Sequence, residues 1–122
     1  DTWRAEYFAN RWLVERPMLI RQESAIDFNW GGGSPGPALP ADDFSARFQR
    51  YVQFEAGTYR FTVEAQGGVR LWVDDRLLIE HWQEQEATYS ADSTLSAGYH
   101  RVRLEYFEAA GGAAVKLSWG RL

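Results

Sequence analysis

From Tyr59 onward the chain alternates apolar and polar residues with a period of two: Tyr59, Phe61, Val63 and Ala65 are separated by Arg60, Thr62 and Glu64. Successive strand side chains point to opposite faces, so this spacing predicts a half-buried strand. The pattern returns in Val69, Leu71 and Val73, in Val102, Leu104 and Tyr106, and in Val115, Leu117 and Trp119. Between them lie Glu55-Ala56-Gly57, Asp74-Asp75, Ser96-Ala97-Gly98 and Ala110-Gly111-Gly112, polar or glycine-bearing segments suited to reversals between antiparallel neighbours. The first half is less regular. Trp3 to Phe8, Met18 to Gln22 and Ile26 to Asn29 read as short strands, and Phe44 to Phe54 as a longer one. Gly31 to Pro40 is too rich in glycine and proline for a helix or a central strand, and is expected to be a surface loop. Trp30 and Phe44 flank it closely and need a shared core, so it is a loop within one domain, not an interdomain linker. With no helix of ten residues and no internal repeat in the pattern, the expected architecture is an antiparallel sandwich or barrel.

A length of 122 residues suits one domain spanning 1–122, able to bury roughly two thirds of its unfolded surface around one core. Aromatic residues are 16% of the chain and charged residues 25%, a balance that excludes a disordered chain. The net charge of −4 gives no basic field for nucleic acid or an anionic membrane, so neither is an expected partner. The absence of cysteine removes disulfides, thiolate metal sites and cysteine nucleophiles. Apolar runs are far shorter than the roughly 20 residues that span a bilayer, and the chain opens at Asp1 without an apolar signal stretch. The expectation is a soluble chain without membrane insertion, either mature or excised from something longer. Asn10 and Asn29 are followed by Arg-Trp and Trp-Gly, so no Asn-x-Ser/Thr acceptor exists, which favours a bacterial origin.

The stretch Gly68-Val69-Arg70-Leu71-Trp72-Val73-Asp74-Asp75-Arg76-Leu77-Leu78-Ile79-Glu80-His81-Trp82 resembles the central signature of the PA14 domain family. Ala5-Glu6-Tyr7-Phe8, Ile26 to Gly31, Phe44 to Phe48 and Gly57 to Phe61 are similar to upstream family segments. Leu95 to His100, Glu105-Tyr106-Phe107 and Leu117-Ser118-Trp119 match downstream ones, in the family's order. The resemblance implies an all-β, antiparallel PA14-type β-sandwich, jelly-roll-like, of the kind found in secreted and cell-surface proteins. In sugar-binding members two consecutive aspartates before the Gly-Val-Arg-Leu-type strand hold calcium across a cis peptide bond. Those positions are Gln66 and Gly67 here. Calcium takes six to eight oxygens, largely from carboxylates. A Gln amide and a bare glycine supply only neutral carbonyls, so no metal and no cofactor are expected. The second calcium loop of lectin members would fall at Glu108 to Gly112, where Glu108 alone is charged. Asp74-Asp75 occupy the family's hairpin turn and are expected to act there, not as ligands; Asp42-Asp43 read as a turn leading into a strand.

Candidate chemistry is sparse. Neither His81 nor His100 has a recognisable partner, and no nucleophile-elbow, His-Glu-x-x-His or phosphate-loop pattern occurs. His81 is expected to be a hydrogen-bonded structural residue and His100 to be packed or partly exposed. Catalysis is therefore not expected. Two readings remain: an extracellular or cell-surface interaction module that docks on other domains or subunits, and a calcium-independent carbohydrate-binding module. The candidate ligand-binding residues are Gln66, Gly67, Trp72, Trp82 and Glu108, with Trp12 a further ring on which a sugar could stack. Trp72 is expected to face outward with Arg70. Arg60, Glu64, Arg70, Arg101, Arg103 and Glu105 are expected to form a solvated mixed-charge sheet face.

Overall fold

The computed structural model describes residues 2–122, and within them every regular element is a strand. These are β1 (Trp3–Phe8), β2 (Leu19–Glu23), β3 (Asp27–Gly31), β4 (Phe44–Phe54), β5 (Gly57–Gln66), β6 (Gly68–Val73), β7 (Arg76–His81), β8 (Glu86–Leu95), β9 (Gly98–Glu108) and β10 (Ala113–Arg121). They form two antiparallel sheets, one ordered β2-β1-β4-β9-β6-β7 and the other β3-β10-β5-β8. Consecutive strands repeatedly cross between the layers, which gives the jelly-roll-like winding.

The period-two residues fill the gap between the sheets. Phe61, Val63, Val69, Leu71, Val102, Leu104 and Val115 are almost completely buried. Each such side chain contributes about 1.5–3 kcal/mol by leaving water. The aromatic rings bind the layers: Phe48 of the larger sheet packs on Phe28 of the smaller at 5.8 Å, and Trp3 meets Trp119 edge-on at 6.2 Å. Trp30 reaches Phe44 at 5.6 Å, closing the loop between them over the shared core. Leu39 within that loop is buried as well.

Several expectations need correction. β2 lies one residue further along than the pattern suggested, and β3 starts one residue later and ends two residues later. β7 and β8 were not separately resolved by it. The inward side of β8 carries Ala87, Tyr89, Ala91 and Ser93, too little apolar contrast to stand out against its Thr and Ser neighbours. His81 stacks on Tyr89 at 3.8 Å, so ring packing and not the expected hydrogen bond holds it.

Asp74 and Asp75 link β6 to β7 with φ of 51° and 64°. Two successive positive φ angles are what a tight antiparallel turn requires, and Asp tolerates them better than most residues. Asp74 also ties the turn to β9: its carboxylate accepts from the Arg101 N–H at 2.9 Å and pairs with His100 Nδ1, whose Nε2 meets the Ser96 carbonyl at 2.8 Å. These bonds, the Asp74 one foremost, raise the His100 pKa against the opposing effect of burial. A raised folded-state pKa adds stability that is present below the unfolded histidine's value and is lost as pH rises through the folded one. Asp74→Asn should therefore lower the His100 pKa in an NMR titration. It should also flatten the loss of stability across that window, by about 1 kcal/mol or less for so exposed a carboxylate.

Candidate functional site

The β5–β6, β7–β8 and β9–β10 connections gather at one end of the sandwich, beside the segment leading into β4. Gln66 and Gly67 sit here. Gly67 has φ of 133°, and its N–H donates to the Gln85 carbonyl at 3.1 Å. The Gln66 carbonyl accepts the Tyr106 hydroxyl, and an added Cβ on Gly112 would lie 2.8 Å from the Gln66 side-chain oxygen. Burial is the main reason the Tyr106 phenol stays protonated far above its ordinary range. The backbone oxygen of Gln66 is thus already engaged, Gly67 has no side chain, and no peptide bond among the described residues is cis. These positions do not fit calcium held in the manner the resemblance describes.

Glu108 closes the same end and is fully buried. Neither of its carboxylate oxygens meets a donor. Its neighbour is Glu84 of the β7–β8 connection, which accepts the N–H groups of Ala109 and Ala110 at 2.6 and 3.2 Å. Two carboxylates facing one another are satisfied only if one is protonated. Desolvation first, then Glu84 and the more distant Asp42, push the Glu108 pKa up to about 8. Glu108 is accordingly a neutral acid at pH 7 that can donate to Glu84. Glu84 escaped sequence reasoning because nothing in its local pattern distinguishes it from other loop acids, and the pattern reads Asp42 only as part of a turn. Asp42-Asp43 otherwise behave as expected: Asp43 has φ of 62°, leads into β4, and pairs with Arg11.

The outward face of the larger sheet carries Trp72 and Trp82. Trp72 does point out with Arg70, but it lies beneath the Arg103 guanidinium at 4.3 Å. Trp82 lies beneath Arg70 at 3.6 Å and packs on Phe107 at 4.7 Å. Glu105 is 5% exposed and binds Arg47 at 2.9 Å and Arg70 at 3.0 Å. This corrects the expectation of a solvated charged face, since around Glu105 it is a closed guanidinium–carboxylate–indole layer. Arg60 behaves as expected, pairing across the smaller sheet with Asp92 at 2.9 Å. Of the candidate residues, Gln66, Gly67 and Glu108 meet at the loop end and Trp82 borders it through Phe107. Trp72 lies toward the far end of β6.

Two antiparallel sheets with connections crowded at one end define a jelly-roll β-sandwich module. Its candidate site combines a neutralised buried acid with a guanidinium-covered sheet face. The chain belongs to the PA14 domain family, whose model matches residues 2–122. It is 37% identical over 119 residues, 95% of its length, to an anti-sigma-I factor, RsgI3, of Acetivibrio thermocellus, but spans only 18% of that protein. Among solved structures it is similar to an anti-sigma factor domain-containing protein from Clostridium clariflavum. The TM-score is 0.93, with 32% identity, 99% of this chain and 42% of that one covered. A PA14 sugar-binding domain from an RTX adhesin shares the fold with a TM-score of 0.84 at 20% identity, covering 98% of this chain and 89% of that one. In the anti-sigma relatives, then, the region like this chain is one part of a multidomain protein.

Proposed function

We propose that this chain is a non-catalytic interaction module of a larger, extracytoplasmic bacterial protein of the anti-sigma type, docking through its β1–β2 hairpin against an adjoining domain of the same polypeptide. The carrying observation is the placement of exposed apolar residues. Trp12, Val14, Met18 and Ile20 are 63%, 47%, 55% and 48% exposed. They are half of the large hydrophobic residues left exposed among the described residues, and all lie on one hairpin. β2 is also an edge strand with an unpaired side. Apolar exposure concentrated in one place marks a surface that another surface covers. The relatives' multidomain make-up supports an adjoining domain as the occupant.

The test compares amide hydrogen exchange in this chain and in the longer polypeptide that carries it. Slower exchange of residues 10–20 in the longer protein is expected, with the protection removed by Trp12→Ser combined with Ile20→Ser. Equal exchange in both settings would refute hairpin docking.

A further inference from the structure

Four strands end the two sheets, β2 and β7 in the larger and β3 and β8 in the smaller. An edge strand leaves one row of backbone N–H and C=O groups unpaired, and proteins ordinarily blunt it with brevity, bulges, lysine or proline. Three of the four are blunted here. β2 and β3 have five residues each, β3 joins β10 through an irregularity at Ala113/Ala114, and the six residues of β7 join β6 through another at Leu71/Trp72. β8 is different. Its ten residues, Glu86 to Leu95, include no lysine, proline or glycine, and they pair with β5 in unbroken register from Gln66↔Glu86 to Gly57↔Leu95. Among the described residues no other backbone hydrogen bond reaches any of them.

The chemistry of this edge also differs from that of the β1–β2 hairpin. Glu86, Thr88, Ser90, Asp92 and Thr94 are exposed and polar, so an apolar surface is not what would cover them. The open side offers backbone hydrogen bonds, which another strand satisfies while these side chains stay in water.

β8 is complementary to its own reverse. When a second β8 lies antiparallel with a two-fold axis at Ser90, Glu86 falls opposite Thr94 and Asp92 opposite Thr88, so each acid meets a hydroxyl. Asp92 is already neutralised by Arg60, which donates to it at 2.9 and 3.2 Å. On the inward side the half-buried Tyr89 falls opposite Ala91, a large side chain beside a small one, and Ala87 falls opposite Ser93. Neighbouring registers fit less well. An axis at Tyr89 sets Glu86 against Asp92, one at Asp92 sets two aspartates against each other, and one at Ala91 sets the Tyr89 ring against the Ser93 hydroxyl. An axis between two residues would bring an inward side chain opposite an outward one, which alternation forbids. We propose that two copies of this chain pair antiparallel through their β8 edges about a two-fold axis at Ser90, joining their smaller sheets into one continuous sheet.

One strand from each partner makes a small, polar contact, so the pairing is weak and concentration-dependent. Sedimentation equilibrium tests it. The average mass should rise from that of one chain toward twice that value as the concentration approaches millimolar. Ser90→Lys, which sets two ammonium groups across the axis at a solvent-facing position, should weaken association at least tenfold and leave the melting temperature within a few degrees. Residues directly opposite in an antiparallel pair stand about 4.5–5.5 Å apart at Cα, within reach of a disulfide. The chain has no cysteine of its own, so Ser90→Cys should give a covalent dimer on mild oxidation. Ser118→Cys, exposed on the interior strand β10, should not. Trp12→Ser with Ile20→Ser should leave the association intact, which separates this contact from hairpin docking. A mass fixed at that of one chain up to millimolar concentration, or a dimer that Ser90→Lys leaves unchanged, would overturn the proposal. So would a dimer abolished by the hairpin substitutions, or Ser118→Cys linking as readily as Ser90→Cys.

Discussion

Glu108→Gln should stabilise the fold at pH 8 by about 2 kcal/mol while changing it little at pH 4. Glu108 ionises near its ordinary value when unfolded but at about 8 when folded, because burial and the adjacent Glu84 disfavour the charged form. Between those values the folded state holds a proton that the unfolded state has released. Stability is thus complete below the unfolded pKa and falls as pH rises toward 8. Glutamine is neutral throughout, matches the acid in shape, and its amide can donate to Glu84 as the protonated carboxyl does. Urea unfolding at pH 4.5, 6 and 8 would show the wild type losing stability across that range and the variant losing less. Parallel pH dependences for the two proteins would mean that Glu108 is not held neutral at this end of the sandwich.

The second large effect concerns Gly67. Replacing it with aspartate, alone or with Gln66→Asp, should cost about 3 kcal/mol or more and should create no calcium response. A Cβ at this position would lie 2.2 Å from the Phe107 carbonyl oxygen and 2.7 Å from the Tyr106 ring, at a φ of 133° that L side chains rarely adopt. Only the absent side chain lets the β5–β6 link pass so close to β9. Thermal melts with and without millimolar calcium would check this, since a ligand of the folded state raises the midpoint. The wild type should not respond either. A calcium-dependent rise in the wild type would overturn the account of Gln66 and Gly67.

These two effects come from one end of the molecule, yet they differed in how far they were legible beforehand. The substitution of Gln66 and Gly67 for a pair of aspartates was readable once the resemblance had aligned the segment. That Gly67 is sterically compelled was not, because the obstructing Phe107 carbonyl belongs to a strand 40 residues further along. Glu108 was readable as the one acid of its loop. Its neutralisation depends on Glu84, which the β7–β8 connection brings beside it.

By itself the sequence determined the layered β architecture, since two-residue periodicity allows only one set of side chains to face a core. The stretches Trp3–Phe8 and Phe44–Phe54 emerge as strands with the bounds the pattern assigned them, and the Asp74-Asp75 turn lies where polar residues interrupt the alternation. It also determined that the aromatic residues dominate the interior, because no other surface is large enough to hold two sheets together. Only the tertiary structure decided what the outward faces do. Alternation says that Arg70, Trp72, Arg103 and Glu105 point away from the core, but strand order and register place them against Arg47 and Trp82 as a covered layer. The same registers bring Arg4, Gln49 and Arg103, far apart along the chain, into one row. Period two sets the side of a sheet on which a residue lies; which residues become neighbours there depends on how distant strands pair.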